Sequence, residues 1–129
     1  MREILRSDKL PKNLFRYSPC IKTGPFYSCA GMLGLDPRTQ ELVPGGSFAE
    51  SVQILQNLVA AMGDWGLGLE HLVQARIYSS CFADFPLINK AWEQLFTGEI
   101  APPVRTSIGV QALPKDAKVE MEFSFYKVD

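Results

Sequence analysis

Hydrophobic and polar residues alternate along Val119-Glu120-Met121-Glu122-Phe123-Ser124-Phe125, the period of a strand with one buried face. Val119, Met121, Phe123 and Phe125 fall on one side, Glu120 and Glu122 on the other. A second strand is expected just before it, around Val104–Gly109, with Arg105, Ser107 and Gly109 on one face. The turn Pro114-Lys115-Asp116 would join the two. Leu72–Ser79 is a third apolar run of strand length. Nearer the start, Ile4-Leu5 opens a short strand, and Ile21–Thr23 and Phe26–Leu33 read as a hairpin about Gly24-Pro25.

Two stretches change period. Ser47-Phe48-Ala49-Glu50 has the spacing of a capping box, and Phe48, Val52, Leu55, Val59 and Met62 then recur as one helical stripe ending at Gly63. A second helix is expected from about Asp84, with Pro86 in its first turn and Ile88, Trp92, Leu95 and Phe96 inward. Gly98 is placed to end it. The order β-β-β-α-β-α-β-β predicts one α+β domain over residues 1–129, a mixed sheet with both helices packed on one face. The uncovered face would then carry Arg105, Ser107, Glu120 and Glu122, and either meets water or is covered by association of subunits.

Composition narrows the function. With 21% charged residues, a net charge of −1 and no Lys/Arg cluster, the chain lacks the footprint of a nucleic-acid binder. No apolar run approaches a membrane span and no signal-like start is present, so a soluble cytoplasmic protein is expected. Cys20, Cys29 and Cys81 form no Cys-x-x-Cys motif and are read as three reduced thiols acting as small apolar residues. The single histidine, His71, has no Cys, Asp or Glu at metal-ligand spacing, so neither a metal nor another cofactor is expected.

The candidate chemistry lies in the two closing strands. If they pair, Arg105 and Glu120 look into the same space. An arginine fork is the preferred partner of a carboxylate ligand, and a glutamate beside it can move protons or hold a water. The competing reading is a cross-strand ion pair with no ligand.

The same residues carry a resemblance. Pro103-Val104-Arg105 with Ile108, Leu113-Pro114-Lys115-Asp116 and Val119-Glu120-Met121-Glu122 resemble the Rid (YjgF) family of small enamine/imine deaminases. Tyr17-Ser18-Pro19, Ala30-Gly31, Asp36-Pro37-Arg38-Thr39, Asn57 and Asp84-Phe85 followed by Asn89 and Trp92 fit in order, so the resemblance spans nearly the whole chain. It implies a chorismate-mutase-like fold and a homotrimeric, barrel-like assembly with a cleft at each subunit interface. It further implies hydrolysis of 2-aminoacrylate-like enamine or imine acids to 2-oxo acids and ammonia. In that pattern Arg105 binds the small-molecule carboxylate, Glu120 orients water and relays protons, and Tyr17 lines the cleft. Ala30, Gly31, Ser107 and Asn89 would complete the substrate contacts.

The chain departs from the family pattern at Ala30-Gly31-Met32, where Ser-Gly-Gln is common, at Phe15-Arg16, and at Ser107, often a cysteine. These changes alter pocket polarity and point away from the smallest imine as preferred substrate. Two other functions fit the resemblance: a non-catalytic binder of 2-oxo acids, and an endoribonuclease or translation inhibitor, which the charge balance disfavours.

Overall fold

The computed structural model describes residues 1–129. Its sheet is built from β1 (Arg2–Leu5), β2 (Cys20–Thr23), β3 (Phe26–Cys29), β4 (Met32–Leu33), β5 (Leu72–Ser79), β6 (Val104–Gly109) and β7 (Val119–Tyr126), in the order β1-β2-β3-β7-β5-β6 with β4 also on β7. Helices α1 (Gly46–Trp65) and α2 (Phe85–Leu95) lie on one face. No helix is long and apolar enough to cross a membrane.

The alternation of β7 explains its central place. Val119, Met121, Phe123 and Phe125 are at most 1% exposed and meet Ile54, Leu58, Ile77, Ile88 and Trp92 in a core of 16 residues. Burial of such side chains contributes about 1.5–3 kcal/mol each. β7 therefore pairs on both sides, with β3 and β4 on one and β5 on the other.

Two expectations about the strands are corrected. The closing strands do not form a hairpin: β6 pairs in parallel with β5, and β5 stands between β6 and β7. The β5–α2–β6 unit is a crossover, and the helix it contains is long enough to return the chain for parallel pairing. Phe26–Leu33 is likewise not one strand. Ser28 faces Ser124, but Met32 faces Met121, so one extra residue is accommodated across Cys29–Gly31. This is a β-bulge, a device that re-aims side chains and is common beside functional sites.

The helices also differ from the pattern read in the sequence. Helix α1 begins two residues earlier, its N-cap being Gly45 at φ 115° rather than Ser47, and the capping box is absent. The Ser47 hydroxyl donates instead to Asp84 Oδ2 at 2.9 Å, and Glu50 Oε1 accepts from the Lys118 N–H at 2.8 Å. Tertiary partners thus claim both side chains, joining α1 to α2 and to the start of β7. The buried stripe is Ser51, Ile54, Leu55, Leu58, Ala61 and Met62, turned from the expected one, and Val59 is exposed. Gly63 stays helical, and Gly66 at φ 69° ends α1. Helix α2 stops at Leu95, before Gly98, with Ile88, Ala91 and Trp92 buried and Leu95 and Phe96 half-buried.

Candidate functional site

Cross-strand partners share a face, so the register assigns every site residue to a side of the sheet. Arg105 is opposite Ala75 and Ser107 opposite Ile77, both buried under the helices. Glu120 is opposite Tyr78 and Glu122 opposite Arg76, on the uncovered face. Arg105 and Ser107 therefore do not share that face with Glu120 and Glu122, as the hairpin had implied. With β5 between their strands, Arg105 and Glu120 belong to two separate cavities.

The first cavity, about 370 Å³, is lined by Asn89, Trp92, Glu93, Phe96, Pro102 and Arg105. Phe85, Asn89 and Trp92 are spaced at i, i+4 and i+7 and share a face of α2. They hold the arginine: its guanidinium carbon is 5.3 Å from the Trp92 ring centre and 5.6 Å from that of Phe85, and Nη2 donates to Asn89 Oδ1 at 2.8 Å. Burial lowers the arginine pKa and the Glu93 carboxylate raises it, but a guanidinium stays charged throughout. No carboxylate pairs with Arg105, so the ion-pair reading of Arg105 with Glu120 does not hold. The result is a stacked, oriented cation at the free edge of the sheet. Ser107 lies two residues along the same face, half-buried, and outside this cavity.

The second cavity, about 320 Å³, opens beside the bulge. Tyr17 and Pro19 border it from the loop before β2, Ala30 and Gly31 from the bulge, and Glu120 from β7. Gly31 approaches the Glu120 side chain so closely that a Cβ there would overlap its carboxylate. Burial raises the Glu120 pKa, and the Glu122 carboxylate adds to the effect. Glu122 is itself engaged, accepting from the Tyr78 hydroxyl at 2.6 Å with Arg76 Nη1 at 3.7 Å. Tyr17 is exposed at the rim. The remaining wall is largely apolar and includes Leu10, Leu14, Phe15, Met32 and Trp65. Phe15 and Met32 were read beside the cleft from the sequence; Leu10, Leu14 and Trp65 were not, because a pocket assembled from an irregular loop leaves no periodic signal.

The other candidates have structural partners. His71 Nδ1 accepts from the Gly68 N–H at 2.9 Å, closing a turn, and Asn57 Nδ2 donates to the Leu35 carbonyl at 2.9 Å. The three cysteines are free thiols, yet Cys20 and Cys29 are side by side, which their sequence separation concealed.

An oriented arginine at one edge is chemically suited to a carboxylate, and a desolvated glutamate on the opposite face, packed against a glycine, is suited to proton transfer. A family profile described as endoribonuclease L-PSP matches residues 8–126. The chain belongs to this family, the Rid (YjgF) proteins. It is 34% identical to protein DfrA of Myxococcus xanthus over 94% of this chain and 92% of that one. It is 31% identical to the 2-iminobutanoate/2-iminopropanoate deaminase of Dermatophagoides farinae, over 94% and 93% respectively. Among solved structures, RidA from the Antarctic bacterium Psychrobacter sp. PAMC 21119 superimposes with a TM-score of 0.89 at 30% identity, covering 97% of this chain and 99% of that one.

Proposed function

We propose that the protein is a hydrolytic deaminase of 2-enamine and 2-imine acids, and that it works as a homotrimer whose sites form where subunits meet. One observation supports the reading: the stacked Arg105 and the desolvated Glu120 each border a cavity, yet on opposite faces of one sheet. A second copy laid against the uncovered face supplies the missing half. That face presents Val104, Ile108, Phe26 and Tyr126, all more than 40% exposed, in a family whose deaminase-named relatives align over almost the full chain.

In this reading Arg105 of one subunit takes the substrate carboxylate in a bidentate grip, held flat by Trp92 and Phe85. The C=N carbon then faces Glu120, Gly31 and Tyr17 of the neighbour. A 2-enamine first takes a proton at carbon to become the iminium. Glu120, as carboxylate, accepts a proton from water while the oxygen adds to the iminium carbon. The amino group of the resulting carbinolamine then takes that proton from Glu120, the C–N bond breaks as the hydroxyl proton returns to the Glu120 carboxylate and from there to solvent, and a 2-oxo acid and ammonia leave. The raised Glu120 pKa suits a group that must both take and return a proton. The Tyr17 hydroxyl, at the rim of the same cavity, is available to hydrogen-bond the attacking water or the departing ammonia.

The charged groups bordering the Glu120 cavity are Lys12 and Glu120 itself, a poor match to a polyanionic backbone, so RNA cleavage is not favoured. The test is ammonia release from imines generated in situ by an amino-acid oxidase, with wild type beside Arg105→Ala. Acceleration by wild type alone supports the deaminase. No acceleration by a folded, oligomeric wild type would leave a metabolite binder in its place.

A further inference from the structure

Cys20 and Cys29 are direct cross-strand partners in the β2–β3 hairpin, and their sulfurs are 3.5 Å apart. Pro19 and Ala30 flank them, and the Ala30 N–H donates to the Pro19 carbonyl at 2.9 Å. That bond makes 20/29 a non-hydrogen-bonded pair, the closer of the two antiparallel arrangements, with Cα atoms typically about 4.5 Å apart. The spacing lies inside the range that disulfides bridge, and both side chains point to the same face. Cys20 is fully buried, whereas Cys29 is half-buried and borders the Glu120 cavity, through which a small oxidant can reach it.

We propose that Cys20 and Cys29 form a reversible dithiol–disulfide site that responds to peroxides and acts on the adjoining cleft. The electrons balance with a peroxide as the oxidant. The Cys29 sulfur attacks one peroxide oxygen, the O–O bond breaks, and a sulfenic acid and water form. The Cys20 sulfur then attacks Cys29, the S–O bond breaks, and hydroxide leaves with a proton as a second water. A thiol reductant reverses the bond by exchange. In the dithiol the Cys29 S–H donates to Cys20, which lowers the Cys20 pKa and raises that of Cys29, so the Cys29 proton must leave as its sulfur attacks the peroxide and the first step is the slow one.

The consequence for the cleft follows from chain position. Cys20 follows Tyr17-Ser18-Pro19, and Cys29 precedes Ala30-Gly31, so the bond joins two walls of the same cavity. A disulfide prefers Cα atoms about 5.5–6 Å apart, wider than the about 4.5 Å of such a pair, so forming it strains those walls apart. Gly31 lies against the Glu120 side chain, so a shift of the bulge re-aims the carboxylate, and about 1 Å near reacting groups can cost 10²-fold in rate. This last step rests on the deaminase reading; the chemistry of the thiols does not.

The test exposes the whole protein to graded hydrogen peroxide, alkylates remaining thiols and maps the peptides by mass. The expected result is joint loss of the Cys20 and Cys29 thiols, with their peptides linked and lighter by two hydrogens, while Cys81 stays alkylatable and reductant restores both thiols. In Cys20→Ala, which lacks the resolving thiol, a 1,3-dicarbonyl trap should capture Cys29 as sulfenic acid. Linkage of either residue to Cys81, or both thiols surviving at peroxide levels that oxidise Cys81, would overturn the site. Imine hydrolysis should fall at least tenfold on oxidation and return on reduction; a linked protein with unchanged turnover would overturn the coupling. Failure of the reduced protein to hydrolyse imines would count against the deaminase reading and leave the thiol map intact.

Discussion

At the scale of single residues, two side chains have the chemistry and each is prepared by its neighbours. Arg105 is stacked on Trp92 and tethered to Asn89, so little conformational freedom remains to be lost on binding a carboxylate. Arg105→Ala is expected to lower kcat/KM at least 10²-fold, about 3 kcal/mol, with far-UV dichroism and Tm close to wild type. Near wild-type turnover in that variant would sink the mechanism. Glu120 acts first as a base, so its carboxylate form is the active one. Because its pKa is raised by burial and by Glu122, activity should fall as pH drops through a value above that of an ordinary glutamate. A pH profile of kcat/KM should show this acid limb in wild type and lack it in Glu120→Gln, whose residual rate should be reduced more than its substrate affinity. Gly31→Ala is a third probe. The added methyl displaces the Glu120 carboxylate, so turnover should drop about tenfold or more while a surface glycine such as Gly98→Ala, with open space around it, leaves it unchanged.

At the scale of elements, the bulge and the helix starts decide where the chemistry sits. Glu50, in the second turn of α1, accepts from the Lys118 N–H just before β7. Glu50→Ala leaves that half-buried donor without its partner and should cost about 1 kcal/mol, measurable as a lowered midpoint in urea. Glu50→Gln retains an acceptor and should cost much less. The sequence was most legible here where periodicity is strong: β5 runs from Leu72 to Ser79 as read, and the β7 faces are those its alternation implied. It was least legible where a side chain has two possible partners. Ser47 and Glu50 have capping-box spacing, but Asp84 and Lys118 are better-placed partners once α1 docks, and nothing local reveals them. The pairing of β6 was lost for the same reason. Strand adjacency in sequence favours a hairpin, whereas α2 between β5 and β6 permits the parallel pairing that packs Ile88 and Trp92 into the core.

At the scale of the whole molecule, that misread pairing matters most. A β6–β7 hairpin would have put Arg105 and Glu120 in one pocket of one chain. The observed order places β5 between them and turns them to opposite faces, while each keeps a cavity and a supporting cast of its own. Arg105 and Glu120 stood out in the sequence as residue types within motifs; their separation did not, because it is a property of topology. The account therefore requires activity to depend on association: light scattering should report a trimer, and conditions that dissociate it should abolish turnover while the subunit remains folded.

Subunit complementation tests this central claim most directly. Arg105→Ala and Glu120→Gln are each expected to be nearly inactive alone. After the two proteins are mixed, dissociated and reassembled, about a quarter of the interfaces in a random trimer should join an intact Arg105 to an intact Glu120. Imine hydrolysis should recover to about that fraction of wild type, since each intact residue comes from a different subunit. If subunits demonstrably exchange and the mixed trimers stay as inactive as their parents, the two residues do not meet across an interface, and the account is wrong.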